Sequence, residues 1–133
     1  MTLQNIIKSK PLIVVTVHKD QTVSDTVKVM GKKNVSGVFV VDEKDKLVGI
    51  FTERDIVRCV VKGTSLEDEV IQNIMRTDLI TFDPSMVLSS AIAIALRKNI
   101  RHLIIVEYGE IVGMITFRDL ISYLLPEILY MSK

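Results

Sequence analysis

The stretch GIFTERDIVR at residues 49–58 decides the fold, because it recurs as GMITFRDLIS at residues 113–122. Gly, Thr, Arg and Asp hold the same relative positions in both stretches. A fixed internal repeat is read before any secondary structure is assigned, since it determines the architecture. The recurrence predicts that the chain is built from two copies of one structural unit.

The similarity between the two copies extends over nearly the whole chain. Residues 14–41 align with residues 79–106, and the quoted stretches then follow in the same order in both copies. We therefore predict two domains, residues 1–66 and residues 67–133, which together form one module.

Each copy reads as strand, helix, hairpin, helix. Short runs rich in branched residues at 12–17 and 79–82 predict the first strands, and apolar residues at helical spacing follow both. Two apolar runs around a polar turn predict a β-hairpin at 37–52 and another at 102–116. The closing helices repeat apolar residues at i, i+1, i+4 and i+5, which predicts one buried face. The residues of this face are Ile56, Val57, Val60 and Val61, and then Leu120, Ile121, Leu124 and Leu125.

The size of each copy predicts how the copies associate. A domain of about 60 residues buries only about 60% of its unfolded surface, so each copy needs cover from the other. We predict an α+β fold of two tandem β-α-β-β-α repeats, packed sheet to sheet with a pseudo-two-fold axis. Such packing leaves two related clefts between the repeats, and clefts of this kind are where small ligands usually bind.

Composition excludes several classes of function. With 17 Lys+Arg against 16 Asp+Glu, the formal charge of +1 gives no electrostatic case for a nucleic acid or a membrane partner. Cys59 is the only cysteine, which excludes an internal disulfide and argues against a metal site. The N-terminal residues lack the apolar run of a signal peptide, and no stretch approaches about 18 apolar residues. We expect a cytoplasmic protein.

The repeated Thr-x-x-Asp motif has two interpretations. In the first, Thr52 with Asp55, and Thr116 with Asp119, form capping boxes at the start of the closing helices. Such a cap contributes about 1 kcal/mol, and the acid also complements the helix dipole. Any duplicated helix needs a cap, so repetition alone does not exclude this interpretation.

The second interpretation of the motif is a ligand site. A carboxylate is an acceptor only, and it can accept two hydrogen bonds from the cis-diol of a ribose. Arg54 and Arg118, which precede the two acids, can face a phosphate. The alternative for both arginines is a solvated helix face.

The pattern G-h-x-T-x-R-D, duplicated at the end of a β-α-β-β-α unit, resembles the tandem cystathionine beta-synthase (CBS) domain pair, also called a Bateman module. Residues 34–58 and 100–121 carry the resemblance most clearly, and it spans almost the entire chain. The resemblance implies a stand-alone regulatory module without a catalytic cofactor. It also implies that AMP, ADP, ATP or S-adenosylmethionine binds in the clefts between the repeats.

The resemblance implies two nucleotide sites in which the Thr and the Asp of the motif hold the ribose hydroxyls. The first site comprises Thr52, Asp55, Thr81 and Arg101. The second comprises Thr116, Asp119, His102, Thr16 and Ser36. Arg101 and His102 stand at positions where the resemblance implies phosphate contacts.

The chain departs from the family pattern at two places. Phe39 and Ile104 stand where many members have proline, and Phe39 either stacks on a purine or fills part of the cleft. In addition, Ser36 and Gly37 in the first copy align with Arg101 and His102 in the second. The two sites therefore need not bind the same ligand or bind it equally.

Two competing classes of function remain. An enzyme is not expected, because neither histidine pairs with a nucleophile or a metal cluster and Glu53 aligns with Phe117. A ligand-free structural or dimerisation module, in which Thr-x-x-Asp only caps helices, is the alternative.

A homodimer is expected from the resemblance, while the regulated partner is not identified. The apolar segment 91–96 is either core or a dimer contact. Pro126 is expected to end the last helix. The residues after it, Ile128, Leu129 and Tyr130, would then add to that contact.

Overall fold

The computed structural model describes the backbone of residues 1–131 and the side chains of residues 1–126. Two compact units are present. The first-repeat unit is Val14–Leu79, and the second-repeat unit comprises Met1–Ile13 and the chain from Ile80 onward. The boundary predicted between residues 66 and 67 concerns the sequence repeats, and it stays a prediction.

Both units use the same order of elements. In chain order these are α1 (Leu3–Ser9), β1 (Thr16–His18), α2 (Val23–Lys33), β2 (Gly37–Val41), β3 (Leu47–Thr52), α3 (Glu53–Val61), a 3-10 helix (Ile71–Asn73), β4 (Thr81–Phe82), α4 (Leu88–Arg97), β5 (His102–Glu107), β6 (Glu110–Thr116) and α5 (Phe117–Met131).

The first-repeat unit is built on the three-stranded sheet β1-β2-β3. β1 runs parallel to β2, and β2 forms an antiparallel hairpin with β3. Val38, Val40 and Phe51 point to one face of this sheet, where they form the core with buried helical residues such as Val23 and Cys59. Because side chains alternate along a strand, β2 and β3 also present a second set of residues to the opposite face.

The second-repeat unit repeats this arrangement in the sheet β4-β5-β6. Its core contains Leu103 and Ile115 from the hairpin, and α1 adds Leu3 and Ile6, which are 0% and 1% exposed. The α1 backbone is fixed to this unit, since the N–H of Leu3 donates to the carbonyl of Met86 at 3.0 Å. Residues from the start of the chain thus complete a core whose sheet lies in the second copy.

These elements confirm the predicted α+β fold with two tandem β-α-β-β-α repeats. The hairpins begin and end where the sequence indicates, at Gly37 and Thr52 and at His102 and Thr116. The first strands are shorter than predicted, because only Thr16–His18 and Thr81–Phe82 pair with their neighbouring strands. How the two units pack on each other stays a prediction.

The prediction of a single buried face on each closing helix is partly wrong. Leu120 is 2% exposed, but Val57, Val61 and Ile121 are 61%, 80% and 59% exposed. A helix advances about 100° per residue, so residues spaced i, i+1, i+4 and i+5 cover more of its circumference than one small sheet can contact. On α3 the buried residues include Cys59, which is not one of the four predicted residues. Part of the predicted apolar face, with Val57 and Val61, remains exposed as an apolar stripe.

The last two helices differ from expectation in detail. The prediction that Pro126 ends the last helix is wrong, since Pro126 lies inside α5, which continues to Met131. An internal proline removes one hydrogen bond of a helix but does not have to end it. The predicted contact of Ile128, Leu129 and Tyr130 lies outside the described side chains. In segment 91–96, Ala91 and Ala95 are core residues and Leu96 is 64% exposed.

Among the helices that the structure describes, none combines the length and the apolarity that a membrane span requires.

Candidate functional site

Each Thr-x-x-Asp motif lies where a hairpin strand passes directly into a closing helix. Thr52 is the last residue of β3 and precedes α3, and Thr116 is the last residue of β6 and precedes α5. This junction leaves the first backbone N–H groups of each helix without helical acceptors. The carboxylate three residues after the threonine can accept from the backbone N–H of that threonine, which explains the Thr-x-x-Asp spacing.

In the first-repeat unit the motif is buried. Thr52 and Asp55 are each 3% exposed. Oδ2 of Asp55 accepts from the backbone N–H of Thr52 at 2.9 Å and from its hydroxyl at 3.2 Å. The other oxygen, Oδ1, lies 3.4 Å from Nη1 of Arg58, one turn along α3. Among the described residues, the contact of Oδ1 is thus a long one with a cation.

In the second-repeat unit the same motif is half-buried and reciprocal. The backbone N–H of Thr116 donates to Oδ2 of Asp119 at 2.9 Å, and the N–H of Asp119 donates to Oγ1 of Thr116 at 3.1 Å. Oδ1 of Asp119 accepts from Nζ of Lys10 at 2.7 Å. Burial raises the pKa of Asp119, but the hydrogen bonds from Lys10 and from Thr116 outweigh it, so this pKa lies below its usual value.

Both motifs therefore cap their helices, as the first interpretation of the sequence predicts. The cap uses Oδ2 in each case, and Oδ1 is directed to a cationic side chain instead. A carboxylate oxygen has two lone pairs, so capping and ligand binding do not exclude each other.

In each unit, further predicted residues lie at the start of the first hairpin strand, beside the motif; of these, Ser36 and Arg101 are predicted for the site of the other motif. The carbonyl of Ser36 accepts from the N–H of Glu53 at 3.0 Å, and Gly37 pairs with Thr52. In the second-repeat unit the carbonyl of Arg101 accepts from the N–H of Phe117 at 3.2 Å. His102 there pairs with Thr116.

Each first-strand threonine lies in the other unit from the motif for which it is predicted: Thr16, predicted for the Asp119 site, is in the first-repeat unit, and Thr81, predicted for the Asp55 site, is in the second-repeat unit. Thr16 pairs with Phe39, and Thr81 pairs with Ile104. Since paired residues and every second residue share a face, Thr16 lies on the same sheet face as Thr52, and Thr81 on the same face as Thr116. Both first-strand threonines are exposed.

The bulky residues on these faces are already packed. Phe39 is 1% exposed and Ile104 is 2% exposed. At this exposure the ring of Phe39 presents almost no surface to a ligand, and its role stays a prediction.

The arginines differ in their surroundings. Arg54 is half-buried, while Arg101 and Arg118 are exposed. Arg58 contacts Asp55 but was not predicted as a site residue. The i, i+3 spacing of the two residues on one helix could have indicated this contact. Lys10 was also missed, because 109 residues separate it from Asp119 and no local pattern connects them.

Other reactive groups lie in structural surroundings. Cys59 is 2% exposed in the first-repeat core, and burial together with the charge of Asp55 raises the pKa of its thiol. Within the described residues, no group of three His, Cys, Asp or Glu side chains is arranged to hold a metal ion.

Comparison with known proteins identifies what this arrangement is similar to. The model of the CBS domain matches residues 7–62 and again residues 71–126. A solved protein with CBS domains from Burkholderia ambifaria is 29% identical, with a TM-score of 0.87 and coverage of 95% of each chain. The CBS domain pair of protein MJ0100, solved with 5′-methylthioadenosine and S-adenosylmethionine, is 26% identical with a TM-score of 0.79. It covers 94% of this chain and 99% of its own.

Enzymes are also among the relatives. The inosine-5′-monophosphate dehydrogenase of Aquifex aeolicus is 36% identical over 109 residues, which is 81% of this chain but 22% of the enzyme. The chain spans from 21% to 57% of the length of three further curated relatives.

Proposed function

Because the chain belongs to the CBS-domain family, whose model matches it twice, we propose that it is a regulatory module that binds an adenosine ligand. The proposed ligands are AMP, ADP, ATP and S-adenosylmethionine. The similar domain pair of protein MJ0100 supports this choice, since it was solved with two adenosine derivatives.

The observation that carries this proposal is that the two oxygens of each carboxylate have different partners. Oδ2 of Asp55 and Oδ2 of Asp119 cap the helices, so the side chains are held in fixed orientations. Oδ1 of each acid has its nearest partner in a long cationic side chain, Arg58 or Lys10, at 3.4 and 2.7 Å. Such side chains can adopt another rotamer at little cost in free energy. Oδ1 then remains as an oriented acceptor for a ribose hydroxyl.

The residues of the two sites follow from the family resemblance and stay predictions. We propose that the ribose is held by Thr52 with Asp55 and by Thr116 with Asp119. The proposed further contacts are Thr81 and Arg101 in the first site and Thr16, Ser36 and His102 in the second. Arg54 and Arg118 are proposed as additional phosphate contacts. What supports polar contacts at the motifs is that, within each unit, Ser36 and Gly37 lie beside Thr52 and Arg101 and His102 lie beside Thr116, at one end of the sheet.

Ligand binding is proposed to change the regulation of another protein or of an assembly. A ligand that contacts two elements favours the geometry that satisfies both of them. A partner that prefers one geometry then experiences a coupling free energy, commonly about 1–3 kcal/mol. We propose this regulatory output in place of catalysis, because the chain matches only 22% of the dehydrogenase from Aquifex aeolicus. A cytoplasmic location stays a prediction.

A calorimetric titration with AMP tests this function. We expect saturable binding by the parent chain. Asp119→Asn is expected to weaken it at least about tenfold at one site, because a neutral amide replaces the ionised acceptor of a charge-assisted hydrogen bond. Failure of AMP, ADP, ATP and S-adenosylmethionine to bind the correctly folded parent would contradict the function.

The alternative is a ligand-free structural module in which the motifs act only as caps. The observation that favours it is the 3% exposure of Asp55, whose Oδ2 is already satisfied. Under this alternative no adenosine derivative binds, and both acids affect only stability.

We also propose that the chain forms a homodimer through its closing helices. Val57 and Val61 on α3 are 61% and 80% exposed, and the matching residues Ile121 and Leu125 on α5 are 59% and 44% exposed. Two apolar stripes at equivalent positions of the repeat are typical of a surface that a partner covers.

Sedimentation velocity tests the dimer. The parent is expected to sediment as a dimer at micromolar concentration, and Val57→Asp with Ile121→Asp is expected to yield monomers, because each places a charge in an apolar contact. Lys28→Asp is the control, since Lys28 lies on α2, outside both stripes. A monomeric parent, or a double variant that remains dimeric, would refute this surface.

A further inference from the structure

Lys10 is the feature that the family resemblance leaves unexplained. It is the residue that follows α1, and its Nζ donates to Oδ1 of Asp119 at 2.7 Å. The two residues stand 109 positions apart, so the fold of the second-repeat unit brings them together. The bond places a cation on the oxygen that the cap leaves available.

The backbone of Lys10 is fixed, while its side chain is free to move. Its N–H donates to the carbonyl of Ile6 at 3.2 Å, and Ile6 is 1% exposed in the core. The Lys10 side chain is 61% exposed, against 16% for Asp119. A lysine ammonium on its flexible stem can therefore change partners without any movement of α1.

In the described residues, the first-repeat motif has no cation at the position that aligns with Lys10. The segment LQNIIKSK at residues 3–10 aligns with IQNIMRTD at residues 71–78, which places Asp78 at the position of Lys10. The cation nearest to Asp55 is instead Arg58 of its own helix, at 3.4 Å. The two motifs thus differ in where the cation comes from and in how close it lies, 2.7 Å for Lys10 against 3.4 Å for Arg58.

We propose that Lys10 determines the ligand charge that the Asp119 motif prefers, an inference that rests on the adenosine-binding function proposed above. An uncharged nucleoside gives the ammonium no new anion, so its hydroxyls compete with Lys10 for Oδ1 of Asp119. A nucleotide supplies a phosphate with which the ammonium of Lys10 pairs instead. Oδ1 of Asp119 is then available to accept from a ribose hydroxyl. Lys10 therefore favours phosphorylated ligands and disfavours the nucleoside.

The test compares AMP with adenosine in calorimetric titrations of the parent, Lys10→Met and Lys8→Met. Methionine keeps an unbranched stem and removes the charge. Lys8 is the matched control, because it is exposed on the same short helix and its loss changes the net charge equally.

For Lys10→Met, adenosine affinity is expected to rise and AMP affinity to fall, each by about two- to fivefold, the range of an exposed ion pair. The ratio of AMP affinity to adenosine affinity then falls by about four- to twenty-fivefold, while Lys8→Met leaves it unchanged. Equal changes for both ligands, or the same ratio in both variants, would overturn the role of Lys10. If the folded parent binds neither ligand, the proposed function itself fails, which is a different result.

Discussion

Asp55→Ala is expected to lower the free energy of unfolding by about 1–3 kcal/mol, the cost of leaving a buried donor unsatisfied. The backbone N–H and the hydroxyl of Thr52 both donate to Oδ2 of Asp55, and both residues are 3% exposed. Water cannot easily replace the lost acceptor at this depth. Urea unfolding with an unchanged slope measures the loss.

Two variants make this experiment specific. Asp55→Asn retains an amide oxygen that can accept from Thr52, so it is expected to lose less stability than the alanine variant. Asp119→Ala is expected to cost about 1 kcal/mol, the value of an ordinary cap, because its carboxyl group is more exposed. If Asp55→Asn were as destabilising as Asp55→Ala, the capping geometry would not explain the effect.

Gly49→Ala is expected to destabilise the first-repeat unit by about 1–3 kcal/mol, as overpacking of a filled site does. A Cβ at this position would lie 2.5 Å from Sδ of Met75 and 2.9 Å from the carbonyl oxygen of Arg76. The methionine can move, but the carbonyl cannot, because it accepts from the N–H of Ile50 at 3.0 Å. The substitution is therefore expected to strain the bridge between β3 and the segment that follows the 3-10 helix.

Gly31→Ala is the control for Gly49→Ala. Gly31 lies inside α2, and nothing stands within 4 Å of a Cβ built there. Alanine is expected to stabilise this helix by about 0.5–1 kcal/mol. Thermal unfolding of both variants gives shifts of opposite sign, and a stabilised Gly49→Ala would show that the contact with Arg76 is not tight.

Patterns within a single copy allowed most of the fold to be predicted. The hairpins at Gly37–Thr52 and His102–Thr116 were predictable because alternation and turn residues act locally. The capping boxes were predictable for the same reason, since Thr116 and Asp119 are three residues apart. Because the repeat is duplicated, each element could also be predicted from a second stretch of sequence.

Contacts between residues that are far apart in the sequence could not be predicted from it. The ion pair of Lys10 with Asp119 depends on α1 packing into the second-repeat unit, and no local spacing shows this. The closing helices were misread for a related reason. Apolar residues such as Val57 and Val61 fit a helical pattern, but the pattern does not show whether a sheet or a partner covers them.

The structure also changes how the two interpretations of Thr-x-x-Asp are related. From the sequence they were alternatives, whereas the structure assigns the cap to Oδ2 and leaves Oδ1 with another partner. A single carboxylate can therefore stabilise a helix and orient a ligand. The central claim is that these oriented acids bind a ribose.

The most direct measurement is a calorimetric comparison of AMP with 2′,3′-dideoxy-AMP on the parent chain. The two ligands share the base and the phosphate, and only AMP carries the hydroxyls that a carboxylate would accept. We expect the dideoxy ligand to bind at least about tenfold more weakly, since each acid loses charge-assisted hydrogen bonds. Equal affinity for the two ligands would contradict it, because Asp55 and Asp119 would then act on the helices alone.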